Sequence, residues 1–355
     1  MSQSNMTYAQ AVNQAMHQAM EISPDVICYG LGVDDPKAIF GTTAGLAEKF
    51  GSERVFDMPT SENGMLGVGI GAAISGLRPV MVHQRLDFFL LAMDQLVNSA
   101  AKWFYMFGGQ QSVPITIRLM LGRGWGQGPT HSQNLHAWFA HIPGLKVVMP
   151  ATPNDAKGML LASIFDPNPV VFLEHRWLHH QQGEVEPQNS LRVPLDKAKI
   201  IREGTDITIV AISYQVVEAI RASKALSEQG INAEVIDLRS IQPIDWPTIY
   251  ESVKKTGRLL VVDTGMSTCS LASEIVATVS EKLFLSLIIA PKKLAMPDMP
   301  EPTSFGLTAD FYHGAYEVAN TAHQMVKGDY CELLYCELKV TDNHDVPGEW
   351  FKGPF

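Results

Sequence analysis

The sequence lacks the features that would direct a chain to a membrane, to nucleic acid or to an oxidising compartment. It has no cluster of basic residues and a net charge of −10, which argues against nucleic acid and anionic membranes as partners. Its amino terminus has no basic region, and its longest apolar stretch, Met65 to Leu77, is too short and glycine-rich to span a bilayer. Its four cysteines match no zinc or redox spacing: Cys28, Cys269, Cys331 and Cys336. These absences predict a cytoplasmic globular protein with reduced thiols.

What the sequence does contain is a regular alternation of strand-like and helix-like segments. Short apolar runs predict strands, among them Arg78 to His83, Val113 to Arg118, Leu259 to Asp263 and Phe284 to Ala290. They alternate with segments of helical period, of which Leu90 to Phe107 is a long one. Thr7 and Gln10 have capping-box spacing, which predicts the start of a first amphipathic helix. This alternation predicts an α/β fold of two three-layer α/β/α domains with mostly parallel sheets.

The predicted boundaries are a first domain at 1–180, a polar linker at 181–203, a second domain at 204–328 and a tail at 329–355. The tail is polar with Trp350, Phe351 and Phe355 near its end, which predicts a docking arm or a partly ordered extension.

One stretch combines a buried strand, a lone carboxylate and a glycine-rich helix. Val55 and Phe56 lead into a Pro-Thr-Ser turn that contains Glu62, and glycines follow at positions 64, 67, 69 and 71. Glycine costs about 1 kcal/mol in a helix relative to alanine, so this number of glycines predicts close packing against the helix. Glu62 is a candidate acid or base with a tuned pKa. The alternative is a carboxylate that only complements the helix dipole.

Other motifs give weaker indications. The run Gly67-Val-Gly-Ile-Gly71 departs from the dinucleotide-binding fingerprint, because its third glycine comes one place early. His131, His136 and His141 recur every five residues, a spacing that does not stack side chains on one helix face, so shared metal ligation is not expected. His131 differs from the other two because it ends a glycine-rich loop. No nucleophile elbow is present.

Several motifs together resemble a known family, the beta subunits of heterotetrameric, thiamine-diphosphate-dependent 2-oxo acid dehydrogenases of the pyruvate, branched-chain and acetoin type. The resemblance covers Met6 to about Val326. Its markers are Ser61-Glu-Asn-Gly64, Gly76-Leu-Arg-Pro79, Met93-Asp-Gln95, His131-Ser-Gln133, Pro143 to Val148, Asp155 to Gly158 and Asp166 to Pro169. It implies a transketolase-like pyrimidine-binding domain followed by a transketolase C-terminal domain.

The resemblance also implies thiamine diphosphate as a cofactor shared with an alpha subunit, which would hold the diphosphate and magnesium through a Gly-Asp-Gly motif. This chain has no such motif, as expected of half an active site in an α2β2 heterotetramer. The expected enzyme is active only with that alpha subunit and transfers an acyl unit to a lipoyl carrier, with a lipoyl acyltransferase as a further possible partner. The carboxyl group of Glu62 would favour the imino tautomer of the aminopyrimidine, which removes the thiazolium proton.

The remaining site residues follow from the same resemblance. Phe88 matches the aromatic residue that packs on the aminopyrimidine, Gln84 a neighbouring pocket position, and His131 a histidine implicated in acyl transfer. Five residues match a potassium-binding loop: Ile115, Ser163, Ile164, Asp166 and Asn168.

The chain departs from the family pattern at the strand that contains His83, Gln84 and Arg85, which is more polar than in the pyruvate type. Arg85 is therefore a candidate contact for an anionic substrate, an oxygen-rich tail or the partner subunit. The alternative is a structural ion pair, for example with Asp87. Two other functions stay open at this point, a split transketolase or non-oxidative 2-oxo acid decarboxylase subunit, and a degenerate scaffold subunit without activity.

Overall fold

The computed structural model describes residues 4–35, 39–123, 127–186, 192–329, 334–339, 344–348 and 351. They form two compact units. The first is built from described residues of Met1–Gly124 and Thr130–Leu195, and the second from those of Trp125–Pro129 and Asp196–Phe351. None of the helices in this part of the chain is both long and apolar enough to cross a bilayer.

The first unit is a parallel sheet with helices between its strands. Its strands are β1 (Ser4–Thr7), β2 (Val26–Gly30), β3 (Val55–Asp57), β4 (Arg78–His83), β5 (Thr116–Leu121), β6 (Lys146–Val148), β7 (Val170–His175) and β8 (Gln182–Val185). Its α-helices are α1 (Tyr8–Ile22), α2 (Leu46–Phe50), α3 (Glu62–Ile74), α4 (Leu86–Phe89), α5 (Ala101–Met106), α6 (His136–Ala140) and α7 (Pro153–Ile164). Six strands lie side by side, in the order β6-β7-β5-β4-β2-β3, and all are parallel. β1 and β8 form a separate antiparallel ribbon.

The second unit contains a mixed sheet. Its strands are β9 (Lys199–Arg202), β10 (Ile207–Ala211), β11 (Ala233–Asp237), β12 (Ser240–Gln242), β13 (Leu259–Met266) and β14 (Lys292–Met296). Its α-helices are α8 (Gln215–Glu228), α9 (Trp246–Thr256), α10 (Leu271–Leu283) and α11 (Ala315–Lys327). The order is β14-β13-β10-β11-β9, parallel except for β9. The predicted α/β class with mostly parallel sheets is confirmed. The exact domain boundaries stay a prediction, and the segment taken as a linker contains β8 and β9.

The first helix shows how local sequence signals define an element. The Thr7 side chain accepts a hydrogen bond from the Gln10 amide, while the Gln10 side chain accepts one from the Thr7 amide, which completes the predicted capping box. Buried residues such as Val12 and Met16 then recur at helical spacing. This apolar face of α1 packs against α7.

Three predicted elements differ from the observed ones. The helix predicted over Leu90 to Phe107 is divided into a 3₁₀ turn, a π-helix at Gln95–Ala100 and then α5, because spacing of buried residues by four suits a wide turn as well as an α-helix. The strand predicted at Val113 to Arg118 begins later, at Thr116, since Pro114 has no amide N–H for the ladder. The strand predicted at Phe284 to Ala290 is wrong: Phe284–Ser286 is an exposed 3₁₀ turn, and β14 follows it.

The carboxyl-terminal tail packs in part on the second unit. The Tyr335 hydroxyl is buried and lies 2.8 Å from Nδ1 of His323 in α11. The His344 ring stacks on Phe305 with the ring centroids 3.9 Å apart. Phe351 is buried, whereas Trp350 and Phe355, also part of the predicted docking arm, lie outside the described residues.

Candidate functional site

The candidate site residues of the first unit gather at one edge of its parallel sheet. All six strands point the same way, so their carboxyl ends form a single edge, which is where open α/β sheets bind ligands. Glu62 follows β3, the segment Gln84 to Phe88 follows β4, and His131 lies between β5 and α6. Chain topology therefore brings together residues that are far apart in sequence.

Glu62 is a buried carboxylate with no partner in the described part of the chain. It is the first residue of α3 and is 6% exposed. No hydrogen bond or ion pair joins its carboxylate to another described residue, and the Ser61 side chain provides no cap for the helix. The residue is thus largely enclosed, while its two oxygens keep their acceptor sites open. Such a group is suited to bind a polar ligand atom.

Close packing against α3 occurs where the sequence predicts it, but not at every glycine. A Cβ at Gly69 would lie 2.0 Å from the Tyr29 hydroxyl, which itself donates to the Met65 carbonyl at 3.2 Å. Only glycine allows this approach of strand β2 and helix α3. At Gly71, by contrast, a Cβ would meet nothing within 4 Å, so the expectation of close packing is wrong there within this chain.

Gln84, Arg85, Phe88 and His131 lie close together. The Phe88 and His131 rings meet edge to face with centroids 5.4 Å apart, and the Arg85 guanidinium donates to the His131 carbonyl at 3.3 Å. The Gln84 side-chain amide donates to the Leu31 carbonyl at 3.3 Å. Phe88 keeps 38% of its surface exposed although it neighbours a buried core. Together these residues form one wall of the site. Among the described residues, no hydrogen bond, ion pair or ring contact joins them to Glu62.

A second set of contacts fixes the two segments of this wall to each other. Gln133 donates to Oδ1 of Asp87 through its side chain at 2.8 Å and through its backbone amide at 3.3 Å. Burial lowers the pKa of Arg85, whereas the nearby Asp87 carboxylate acts in the opposite direction. The charge of Arg85 is thus partly compensated within its own turn.

Arg176 was missed by the sequence analysis. It is fully buried, directly follows β7, and donates to the carbonyls of both Gln84 and His131, at 3.2 Å and 3.4 Å. The signal that could have identified it is the run Glu174-His175-Arg176, in which three polar residues directly follow the apolar segment Val170 to Leu173.

Buried histidines and an ion pair lie along the same strands. Arg118 in β5 and Glu174 in β7 form a bidentate pair at 2.7 and 3.1 Å, and both are fully buried. Burial lowers the pKa of His83 to about 4. Burial, with the nearby Arg118 and Arg176 charges, lowers that of His179 to about 3. Both imidazoles are therefore neutral near pH 7. His136 is also buried, whereas His141 is exposed, and neither shares a contact with His131 in the described structure.

The candidate potassium residues lie at the opposite, amino-terminal edge of the sheet. The Arg78 guanidinium donates to the carbonyls of Ile164 and Asp166 at 3.1 and 3.2 Å, and Lys146 pairs with the Asp166 carboxylate. The Ile115 carbonyl accepts a hydrogen bond from the Val170 amide at 3.0 Å, and the Ser163 hydroxyl donates to Met159 at 2.7 Å. Side-chain Oδ1 of Asn168 is buried without a partner. Among the described residues, no group of three or more His, Cys, Asp or Glu side chains is arranged to hold a metal ion.

Two family models match this chain. The model of the transketolase pyrimidine-binding domain matches residues 4–181, and that of the transketolase C-terminal domain matches residues 196–313. A solved structure described as "Split gene transketolase, inactive beta4 tetramer" superposes with a TM-score of 0.74 at 22% identity, covering 91% of this chain and 99% of that one, which supports the fold. The fold is therefore transketolase-like.

Curated relatives narrow the class. The chain is 44% identical over 302 residues to the pyruvate dehydrogenase E1 component subunit beta of Rhizobium meliloti, covering 85% of this chain and 66%, just under two thirds, of that protein. It is 40% identical over 328 residues to the acetoin:2,6-dichlorophenolindophenol oxidoreductase subunit beta of Cupriavidus necator, covering 90% of this chain and 96% of that protein. It is 43% identical to a mitochondrial pyruvate dehydrogenase beta subunit of Arabidopsis thaliana, covering 85% and 84%. The chain belongs to this family of beta subunits of thiamine-diphosphate-dependent 2-oxo acid dehydrogenases.

Proposed function

We propose that this chain works with an alpha subunit to decarboxylate a 2-oxo acid and to pass the acyl unit to a lipoyl carrier. The observation that carries the proposal is the buried carboxylate of Glu62, which has no partner among the described residues and lies at the carboxyl edge of the sheet. The family supplies thiamine diphosphate, and this orphaned acceptor fits a cofactor that presents a ring nitrogen able to share a proton with it. Cys28 and Cys269 are free thiols, which supports a cytoplasmic location.

Glu62 and the residues of the wall would then have separate tasks. Glu62 would hold and exchange one proton with the cofactor ring. Phe88, with part of its ring exposed beside His131, would offer an apolar surface for that ring, and Gln84 would border it. His131 would hold a proton near the acyl acceptor. When bound, thiamine diphosphate supplies the electron sink that allows carbon dioxide to leave a 2-oxo acid.

The diphosphate and magnesium are assigned to the partner subunit, in an α2β2 assembly. The experiment is to co-express the chain with a subunit that carries Gly-Asp-Gly, purify the complex, and measure carbon dioxide release from a panel of 2-oxo acids with thiamine diphosphate and Mg²⁺. We expect turnover only with both subunits and the cofactor, and product transfer that depends on lipoamide. Turnover without lipoamide dependence would contradict the assigned acceptor, and tight magnesium-dependent cofactor binding by this chain alone would contradict the shared site.

Arg85 is proposed as a contact for an anionic or oxygen-rich part of the substrate. Its guanidinium lies beside Phe88, with Cζ 6.0 Å from the ring centroid, and bonds the His131 carbonyl, so it is located within the wall. Arg85→Met should raise KM for substrates with a second anionic group by about tenfold or more, the value of one charged hydrogen bond. An unchanged KM across all 2-oxo acids would leave Arg85 with a structural role only.

The proposal extends to a structural potassium ion at the amino-terminal edge of the sheet. The buried Oδ1 of Asn168 supports it, and the guanidinium of Arg78, already bound to two of the candidate carbonyls, opposes it by charge repulsion. Melting temperatures in KCl and NaCl at equal ionic strength provide the test. Higher stability in KCl is expected, and equal stability in the two salts would refute the ion.

A further inference from the structure

Arg176 is a charged residue whose complete burial needs a reason. Its guanidinium stays protonated at any physiological pH, and burying such a charge is expensive unless its donors are well used. In this chain it donates through one terminal nitrogen to the His131 carbonyl and through the other to the Gln84 carbonyl. The planar fork of arginine suits this task, because it can hold two acceptors at a fixed separation.

The two carbonyls belong to segments that are distant in sequence. Gln84 follows β4, His131 lies in the connection after β5, and Arg176 itself follows β7. One side chain therefore ties together three adjacent parts of the carboxyl edge. Arg85 donates to the same His131 carbonyl at 3.3 Å, so this oxygen receives two charged hydrogen bonds.

We propose that Arg176 is a positioning residue, which holds the backbone of Gln84 and His131 in the arrangement that the reaction requires. This inference rests on the proposed function. Arg176 does not touch the reacting atoms, and its effect is exerted through Gln84 and His131. Removing the guanidinium should therefore loosen both segments at once, and misplacement of about 1 Å can lower turnover about a hundredfold.

The test compares Arg176→Met with a matched variant, Arg54→Met. Arg54 is also an arginine of the first unit that bonds only backbone carbonyls, those of Met20, Ser23 and Val26 at 2.9 to 3.1 Å, far from the wall in sequence. Both variants lose a bridge between carbonyls. Only Arg176→Met loses such a bridge at the proposed site.

The first measurement is hydrogen–deuterium exchange on the complex with the alpha subunit. The amides of Phe88 and Gln133 are good reporters, because they bond the Arg85 carbonyl and Asp87 Oδ1. In Arg176→Met we expect exchange at both amides to rise about tenfold or more. In Arg54→Met both should exchange as in the unsubstituted protein, with the increase confined to the region around Met20 to Val26.

The second measurement separates kcat from cofactor affinity. We expect Arg176→Met to lower kcat about 10- to 100-fold with little change in the Kd of thiamine diphosphate, since the diphosphate is assigned to the partner subunit. Arg54→Met should retain kcat at temperatures where it remains folded. Arg176→Lys keeps the charge but not the two-armed fork, so its kcat should lie between those of Arg176→Met and the original protein. It replaces Arg176→Met in the test if that variant does not fold.

The outcomes distinguish this inference from the proposed function. If exchange at Phe88 and Gln133 is unchanged in Arg176→Met, or if Arg54→Met loses as much kcat, the positioning role is overturned. If the unsubstituted complex shows no cofactor-dependent decarboxylation, the proposed function fails, while the exchange result still decides whether Arg176 holds the two segments.

Discussion

Each of the two units has a buried glutamate in the first turn of a helix, but the surroundings of the two carboxylates differ. Glu62 and Glu218 both lie in the first turn of a helix that follows a strand, and both are buried. Glu218 accepts hydrogen bonds from the Tyr214 hydroxyl, from Arg221 at 3.0 Å and from the Ala315 amide at 2.8 Å. Glu62 has no such partner among the described residues.

This difference separates a structural carboxylate from one that is available to a ligand. Glu218 links α8 to the start of α11. Burial, and after it the Glu218 carboxylate, raises the pKa of the Tyr214 phenol. Its oxygens are already used, so it has no capacity left for chemistry. Burial alone therefore does not identify a functional acid; the state of its hydrogen-bond acceptors does.

The strongest test of the comparison exchanges each carboxylate for an amide. Glu62→Gln should lower turnover of the complex by about a hundred- to ten-thousand-fold, the usual contribution of a tuned proton transfer, without lowering the free energy of unfolding. Glu218→Gln should do the reverse and lose about 1–3 kcal/mol of stability, since it weakens bonds to buried donors. Kinetics and urea unfolding measure the two effects. Near-normal activity in Glu62→Gln would end the distinction.

A paired carboxylate within the first unit sharpens the comparison. Arg118→Met leaves Glu174 buried without its partner, and should cost about 3–5 kcal/mol of stability by urea unfolding. The double variant Arg118→Met, Glu174→Gln should recover a large part of this loss. If Arg118→Met unfolds at the same urea concentration as the original chain, the pair does not stabilise the sheet.

The smallest expected effect concerns the buried ring of His83, which meets the Phe89 ring edge to face and whose nitrogens have no hydrogen-bond partner among the described residues. Its folded pKa of about 4 lies below the ordinary value of 6.5, so the unfolded chain binds more protons between these limits and stability falls as the pH drops through that window. This ring should contribute a loss of about 2 kcal/mol between pH 7 and pH 5. The free energy of unfolding of His83→Phe, measured with urea at pH 7 and pH 5, should therefore fall by correspondingly less. An equal fall in the free energy of unfolding of both proteins would contradict the lowered pKa of His83.

The sequence alone was sufficient to predict an element wherever a local signal decides its structure. The capping box at Thr7 and Gln10 correctly placed the start of α1, and the apolar run at Arg78 to His83 correctly gave β4. Glu62, expected in the turn before the glycine-rich helix, is the first residue of that helix, α3, which is the position that the helix-dipole alternative describes. Proposed site roles came from the resemblance, and they stay predictions.

The sequence was insufficient wherever tertiary contacts decide. The apolar run at Phe284 resembles a buried strand, yet its side chains are exposed and the sheet pairs the next segment instead. Arg176 gives no motif, because its role depends on two carbonyls 92 and 45 residues away in the chain. The division of Leu90 to Phe107 depends on hydrogen-bond registers that apolar periodicity does not specify.

Arg85 and Arg176 both bind His131 through its main-chain oxygen and not through its imidazole. The imidazole can therefore be exchanged without releasing the loop, so His131→Ala, His131→Asn and His131→Gln would each report on ring chemistry with the scaffold held constant. Natural or laboratory evolution has the same freedom at this position: one codon changes the side chain proposed to face the acyl acceptor, and the main-chain bonds that hold the loop are retained.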